Sequence, residues 1–221
     1  MSSSAPSPRI WRGQTLEARS ADRREQLIQA AFELLGTEGA AAVTMRAVCR
    51  GAQLSPRYFY ESFPDRETLL LAVFDRAAGE TLETAVRAIT AAPDDPEQRA
   101  RAAFDACTLL YEEDPRLGRI LFRETLADPT LRPRGMEVLP GFVAIVTGQM
   151  YQETSGVPGV DPAVFQMTVI AISGALVSLF LQWLDGPLDI AREQLVDYCV
   201  RMVMGSVDAA MGQGGLGVAP A

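Results

Sequence analysis

Apolar positions recur at helical spacing along most of the chain. In the first such segment, from Asp22 to Leu35, the side chains of Leu27, Ala31 and Phe32 fall on one face of a helix. No segment shows the strict alternation or the density of β-branched residues that is typical of a strand. The pattern therefore predicts an all-α fold of about nine helices.

Capping residues and prolines set the bounds of the helices that follow. Thr44, Ser55 and Asp65 are good N-caps, and Pro56 suits the first position of a helix, where its missing N–H costs nothing. The pair Arg132–Pro133 is predicted to break the chain between two helices. We predict helices after the first at residues 45–50, 56–63, 66–90, 96–113, 115–127, 137–154, 162–184 and 188–211.

The second and third predicted helices are short and are joined by a tight turn from Gly51 to Leu54. This arrangement is the helix-turn-helix, whose later helix enters the major groove of DNA with its N-terminal residues facing the base edges. We therefore predict a helix-turn-helix DNA-binding domain at 21–66, followed by a second helical domain at 67–211. Residues 1–20, rich in Ser, Pro and Arg, are predicted to be a disordered arm, either a plain solvated tail or a basic arm that follows DNA phosphates. Residues 212–221 are predicted to be a disordered tail.

The segment from Thr44 to Phe74, TMRAVCRGAQLSPRYFYESFPDRETLLLAVF, resembles the signature of TetR-family repressors. Two positions depart from that signature: Gln53 stands at the turn glycine, which requires a strained or altered backbone there, and Cys49 replaces the usual alanine. The resemblance also implies that the helical domain at 67–211 serves for effector binding and dimerisation. It implies a DNA-binding set of Thr44, Arg46, Ser55, Pro56, Arg57, Tyr58, Tyr60 and Arg66.

Individual roles follow partly from the resemblance and partly from helical phase. The resemblance implies phosphate contacts for Thr44, Tyr60 and Arg66. We expect Arg57 to read base edges, because arginine can form two hydrogen bonds with guanine; a phosphate contact is the alternative. Phe59 and its i+4 neighbour Phe63 should face the core, whereas Glu61 is either solvated or the partner of an arginine.

Composition argues against catalysis and against a metal centre. The chain has no histidine, and all 20 of its basic residues are arginine, so the commonest general base, zinc ligand and Schiff-base amine are absent. The three cysteines are far apart and have no metal-ligand spacing, so we expect buried thiols in a reducing cytoplasm. An all-α enzyme would have to rely on Cys107 or on carboxylate pairs, and none is suitably spaced. We predict no enzyme activity, no cofactor and no metal.

The net charge of −8 lies entirely in the C-terminal part of the chain. Residues 1–80 contain ten arginines and ten carboxylates, whereas residues 81–221 contain ten arginines and eighteen carboxylates. The window from Thr44 to Tyr60 contains three arginines and no acid. An acidic body would repel DNA except at such a neutral or basic face, so this window is the expected DNA-binding surface.

The predicted helix from Pro162 to Leu184 carries no charge and is long enough to span a membrane. The alternative, which we favour because no arginine cluster flanks it, is a helix buried in part by a second subunit. The last helix adds a packing stripe of Leu195, Cys199, Met202 and Val203. The N-terminus has no apolar segment of the kind found in signal peptides.

A ligand pocket is predicted where apolar positions of the C-terminal helices converge, and such a pocket would take a small hydrophobic effector. The acidic body would slightly favour a neutral or cationic one. Together with the resemblance, these features imply a cytoplasmic, homodimeric repressor that binds a near-palindromic operator and is released by its effector. The predicted pocket residues are Phe104, Cys107, Leu110, Tyr111, Phe122, Phe142, Val146 and Met150.

Overall fold

A computed structural model of the chain describes residues 16–148 and 162–212. Within these ranges the chain is helical and contains no strand, as the sequence predicts. A short 3-10 helix (Ala40–Ala42) precedes α2, and a π-helix (Arg119–Glu124) links α6 to α7. The α-helices are α1 (Leu16–Thr37), α2 (Met45–Ala52), α3 (Pro56–Ser62), α4 (Arg66–Ala91), α5 (Pro96–Glu113), α6 (Pro115–Gly118), α7 (Thr125–Ala127), α8 (Leu131–Gly148), α9 (Pro162–Leu184) and α10 (Arg192–Gly212).

Helix α1 begins at Leu16, six residues before the predicted start. No helix breaker separates Leu16 from Asp22, and Glu17 in the first turn interacts favourably with the helix dipole. Residues 16–20 of the predicted disordered arm are therefore helical. The rest of that arm, residues 1–15, and the predicted tail beyond Gly212 lie outside the described residues.

The predicted break at Arg132 and Pro133 is wrong, because α8 already begins at Leu131. Pro133 occupies the first turn of α8, where its missing N–H would have had no partner within the helix. A second proline, Pro140, lies inside α8. The predicted end of this helix, its Met150 and the loop at 155–161 lie outside the described residues.

Helix α10 begins at Arg192, four residues after the predicted position 188. The intervening segment turns at Gly186, whose φ of 94° is one that glycine adopts without strain. The indole Nε1 of Trp183 donates to the carbonyl oxygen of Ile190 at 3.3 Å and ties this segment back to α9.

The chain divides into two compact units between Val73 and Phe74, inside α4. The sequence-based boundary at residue 66 lies at the start of that helix. We refer to the two parts as unit 1 (through Val73) and unit 2 (from Phe74).

In unit 1, α1 packs against both α2 and α3. The α1–α2 crossing is close, since a Cβ at Gly51 would lie 3.2 Å from the Cβ of Ala30. Cys49, which faces this crossing region, is buried. Phe59 and Phe63 are 2% and 1% exposed, so both belong to the core, as their i, i+4 spacing predicts.

In unit 2, α5 packs against α10, α10 packs against α9, and α9 packs against α8 and the π-helix. Ion pairs join α5 to α10: Arg192 Nη1 lies 2.8 Å from Asp105 Oδ1, and Arg101 pairs with Asp197. The stripe predicted for the last helix packs inside this unit, because Leu195, Cys199 and Val203 are almost fully buried, whereas Met202 is half-buried.

One helical stretch among the described residues, Gln166–Leu184, has the length and the apolar composition of a membrane span. Its inner side is part of the core of unit 2, where Ile172, Leu176 and Phe180 are 3–4% exposed. Its opposite side is open, with Met167 and Ile170 about 60% exposed.

Candidate nucleic-acid interface and unit 2 cavity

Helix α3 is formed by residues that suit a short, sharply bounded helix. Ser55 occupies the N-cap with an extended backbone (φ −77°, ψ 156°), and Pro56 follows at the first helical position. The Ser55 hydroxyl makes no capping hydrogen bond, although its carbonyl oxygen accepts from the Tyr58 N–H at 3.0 Å. At the other end the chain leaves the helix at Phe63, whose N–H donates to the Phe59 carbonyl at 2.8 Å.

The side of α3 that faces away from the unit 1 core presents the residues predicted to contact DNA. Pro56, Arg57, Tyr58 and Tyr60 are exposed, whereas Phe59 between them is buried. Tyr60 is the most exposed aromatic residue in the described part of the chain, at 60%, and its ring packs edge-on against Phe59 with 5.5 Å between centroids. Its ring is thus fixed while its hydroxyl remains in solvent, as expected for an aromatic residue with one wet end.

Two further contacts order this exposed face. Arg57 Nε donates to Glu61 Oε1 at 2.9 Å, one helical turn further on, so Glu61 is the partner of an arginine. The guanidinium of Arg23 lies over the Tyr58 ring, 4.6 Å from its centroid, and so connects α1 to the exposed side of α3.

The N-terminus of α2 contributes a second group of predicted contacts. Thr44 is the N-cap of α2, with its hydroxyl oxygen accepting from the Ala47 N–H at 3.2 Å. Arg46 and Arg50 on α2 are exposed, and so is Arg57 on α3, so the acid-free window presents its three cations to solvent. This local excess of positive charge suits a polyanion.

The turn between α2 and α3 keeps a glycine-like backbone at a residue that has a side chain. Gln53 ends α2 with φ 54° and ψ 35°, the only residue other than glycine with positive φ among those described. A left-handed conformation brings the Cβ too close to the following carbonyl oxygen. Of the two alternatives expected at Gln53, a strained or an altered backbone, the structure therefore shows the strained one.

Arg66, predicted to contact phosphate, has its guanidinium turned into unit 1. Its Nε donates to the Val43 carbonyl at 2.8 Å and its Nη2 to the Ala40 carbonyl at 2.6 Å. Nη1 lies 3.9 Å from Glu67. These bonds tie the start of α4 to the first residue of the 3-10 helix and to Val43, which follows it. The phosphate contact of Arg66 remains a prediction.

Unit 2 contains a cavity of about 510 Å³, within the range of typical small-molecule sites. Helices α4, α5, α8 and α9 and the π-helix all contribute to its wall. Its lining residues are Phe74, Asp75, Ala78, Gly79, Thr81, Leu82, Phe104, Cys107, Tyr111, Leu121, Phe122, Thr125, Leu126, Arg132, Arg134, Gly135, Met136, Val138, Leu139, Gly141, Phe142, Ile145, Leu176, Val177 and Phe180.

An aromatic cluster forms the buried part of this wall. Phe122 and Phe180 stack with centroids 5.3 Å apart and 12° between their planes. Tyr111 stands edge-on to both rings, at 5.5 and 5.8 Å. Phe122 is in the π-helix, a form that frequently marks functional sites, and the wider turn is closed by the Thr125 hydroxyl, which donates to the Ile120 carbonyl at 2.9 Å.

The interior of the cavity is uncharged. Burial raises the pKa of the Cys107 thiol to about 12 and holds the pKa of Tyr111 well above its usual value, so both are neutral at physiological pH. The Tyr111 hydroxyl lies 3.5 Å from Thr81 Oγ1. The charged lining residues, Asp75, Arg132 and Arg134, are exposed or half-buried.

The cavity brings together some of the predicted pocket residues and adds others. Phe104, Cys107, Tyr111, Phe122 and Phe142 line it, as the helical phase suggested. Leu110 and Val146 are not part of the lining, and Met150 lies outside the described residues. The residues of α4 that line the cavity were not predicted from the sequence. The charged lining residues of α8 were not predicted either, because Arg132 was expected to lie in a break between helices.

Residues 27–73 match the family model described as "Bacterial regulatory proteins, tetR family", which spans the helix-turn-helix of unit 1. Unit 1 therefore carries a TetR-family domain. Among curated relatives, the HTH-type transcriptional regulator BetI of Rhizobium meliloti (strain 1021) is 36% identical over 80 residues, 36% of this chain. This chain covers only 39% of the length of that relative.

Two further likenesses cover most of this chain. The HTH-type transcriptional activator FasR of Mycolicibacterium smegmatis (strain ATCC 700084 / mc(2)155) is 25% identical over 186 residues, 84% of this chain and 83% of that relative. The solved structure of the fatty acid degradation regulator FadR from Bacillus halodurans superposes with a TM-score of 0.66 at 18% identity, covering 83% of this chain and 95% of the other. The latter likeness concerns the fold.

Proposed function

We propose that this protein is a TetR-family, sequence-specific DNA-binding transcriptional regulator. The observation that carries the proposal is the exposed face of α3, where Arg57 and Tyr60 are open to solvent. Both belong to the window from Thr44 to Tyr60, which contains three arginines and no acid. Arg57 would read a base edge and Tyr60 would donate to a phosphate oxygen. Thr44, Arg46, Ser55, Pro56 and Tyr58 would border these contacts, since each of them is exposed.

The protein acts as a homodimer in this proposal, so that two copies of α3 meet two half-sites of a near-palindromic operator. The uncharged helix α9 supports this. Its outer side exposes Met167 and Ile170, and the neighbouring α10 adds Tyr198 at 51% exposure. An exposed apolar surface of this kind is more consistent with a partner surface than with solvent. A membrane would be the other apolar environment for α9, and solubility of a dimer without detergent would exclude it.

A small hydrophobic effector binds the unit 2 cavity and releases the protein from DNA. Helix α4 supports the link between the two events, because Phe74, Ala78 and Thr81 on it line the cavity, while its first residues belong to unit 1. The effector must bind the DNA-released state more tightly than the DNA-bound state, since equal affinity would shift nothing. In this proposal the protein is a cytoplasmic repressor of transcription that acts by binding DNA and effector, not by catalysis.

A mobility-shift titration on DNA from upstream of the protein's own gene tests this function. We expect a discrete complex of two chains per duplex that survives an excess of random duplex of equal length. Arg57→Ala should weaken this complex, whereas Arg87→Ala should not, because Arg87 is on α4 beyond the helix-turn-helix and donates only to Thr84. Equal affinity for operator and random duplex, or a complex with one chain, would contradict the proposal. A reporter assay then separates repression from activation.

A further inference from the structure

The charged residues of the cavity lining are unevenly paired. Arg134 Nε donates to Asp75 Oδ1 at 2.8 Å, and its Nη1 donates to Glu137 Oε2 at 3.1 Å. Its positive charge is therefore matched by two carboxylates of unit 2. Arg132, two residues earlier on α8, also lines the cavity but has no carboxylate within ion-pair distance among the described residues.

The Arg132 side chain is nevertheless held in place. Its Nη2 donates to the Leu126 carbonyl oxygen at 2.7 Å, and Leu126 itself lines the cavity. A guanidinium has five N–H donors in a planar fork, so this single bond leaves donors for an anion. Arginine is well suited to such a group, because its fork matches the two oxygens of a carboxylate or phosphate.

The remainder of the cavity suits an apolar group. Its buried wall is the aromatic cluster of Tyr111, Phe122 and Phe180. On the α4 wall, Gly79 leaves open space, since a Cβ built there would meet no atom within 4 Å. The Arg132 guanidinium and the apolar wall thus belong to different parts of the same cavity lining. Arg132 is one of the exposed lining residues, whereas the aromatic rings are among the buried ones.

From this arrangement we infer that the effector is an amphipathic anion, with a carboxylate or phosphate head group on Arg132 and an apolar body against the aromatic cluster. The inference rests on the proposed effector role of the cavity. It differs from the expectation drawn from the acidic body, which favoured a neutral or cationic molecule. A cation at the lining outweighs distant carboxylates, because charges beyond about 8–10 Å are largely screened at physiological salt.

Four ten-carbon probes with the same tail test this inference on the full chain by calorimetry, below their micelle concentrations. They are decanoate, decyl phosphate, decanol and decyltrimethylammonium. We expect at least one of the two anions to bind roughly tenfold more tightly than decanol, because a hydrogen-bonded charge pair contributes that much, and the ammonium probe to bind most weakly. The two anions distinguish a carboxylate from a phosphate effector.

Two substitutions separate the head-group contact from the apolar contact. Arg132→Gln should lower the affinity for the anion about tenfold and leave decanol unchanged. Gly79→Leu should abolish binding of all probes, because its side chain would extend into the space that is open beside α4. Arg123→Gln is the matched control, because Arg123 pairs with Asp185 at 3.6 Å and does not line the cavity.

Unchanged anion affinity in Arg132→Gln, or tighter binding of decyltrimethylammonium than of either anion, would overturn the inference. Operator release is measured separately with the same probes. An anion that binds through Arg132 without releasing DNA overturns the effector role and leaves the ligand class standing. The opposite result is that neither anion binds, while a neutral or cationic compound releases DNA and loses this effect in Gly79→Leu. That result would overturn the inferred ligand class and leave the proposed function standing.

Discussion

Arg57 and Glu61 form an ion pair on the exposed side of α3, with 2.9 Å between Nε and Oε1. Their side chains are 84% and 40% exposed, and the arginine precedes the acid, the less favourable order along a helix. Such a pair adds little to folding stability. The effect of the pair is local. It directs the Arg57 guanidinium, which is proposed to contact a base, along the surface of the helix, and it places one carboxylate on the proposed DNA-facing side.

Replacing Arg57 with alanine should reduce operator affinity by roughly 10- to 100-fold, the range expected for loss of a two-bond contact with guanine. Affinity for random duplex should fall much less, because non-specific binding depends on phosphates. Fluorescence anisotropy with both duplexes at one fixed salt concentration measures the two effects. Equal losses on both duplexes would mean that Arg57 contacts phosphate, the alternative that the sequence left open.

Replacing Glu61 with glutamine should have the opposite effect on random duplex, which should bind more tightly because a charge that repels phosphate is removed. The operator should gain less, since Arg57 loses the partner that directs its guanidinium. The ratio of operator to random affinity should therefore decrease. Thermal unfolding of the variant should match the parent protein. An unchanged ratio would indicate that Glu61 does not position Arg57.

Replacing Tyr60 with phenylalanine should weaken binding to operator and random duplex by a similar factor, roughly tenfold, because a hydrogen bond to a charged phosphate is lost. The ring contact with Phe59 at 5.5 Å is retained, so stability should not change. Thr90→Val on α4 is the control, since it also removes an exposed hydroxyl group but lies in unit 2. If neither affinity changes, Tyr60 does not contact a phosphate.

Where a helix is bounded by several strong local signals, the sequence predicted the fold closely. The bounds of α5 and α9 were predicted correctly at Pro96–Glu113 and Pro162–Leu184, because a proline begins each helix. In the structure Asp95 also caps α5, since its Oδ1 accepts from the Gln98 N–H at 2.8 Å. Helix α8 was placed six residues late, since a proline in a sequence does not reveal whether it breaks a helix or occupies its first turn.

The candidate sites were predictable to different degrees for a similar reason. The face of α3 depends on residues within one turn of each other, so spacing and resemblance were sufficient to select Arg57 and Tyr60. The cavity depends on which helices of unit 2 meet, and periodicity contains no such information. Phase therefore selected Phe122, but the local pattern gave no reason to join it to Gly79 or to Arg132.

Replacing Gln53 with glycine should stabilise unit 1 by about 0.5–1 kcal/mol, because relief of the left-handed backbone exceeds the extra chain entropy that glycine gains when unfolded. Urea denaturation followed by helical circular dichroism measures the change. Gln53→Ala is the control, since it removes the same side chain but keeps the Cβ that is strained at φ 54°. An equal gain in both variants would place the effect in the glutamine side chain rather than in the backbone.

Replacing Ile170 with glutamate should convert the dimer to a monomer, because α9 has no charged residue and Ile170 is 59% exposed on its outer side. A carboxylate buried between two subunits without a partner would oppose association, whereas in a monomer it would remain in solvent. Sedimentation velocity measures the state of association, and circular dichroism verifies that the helices persist. Leu109→Glu on α5 is the matched control, as Leu109 is 47% exposed and outside α9 and α10. Operator affinity should fall steeply in Ile170→Glu alone, since one half-site contact is lost. A variant that remains dimeric would show that the second subunit does not cover this side of α9.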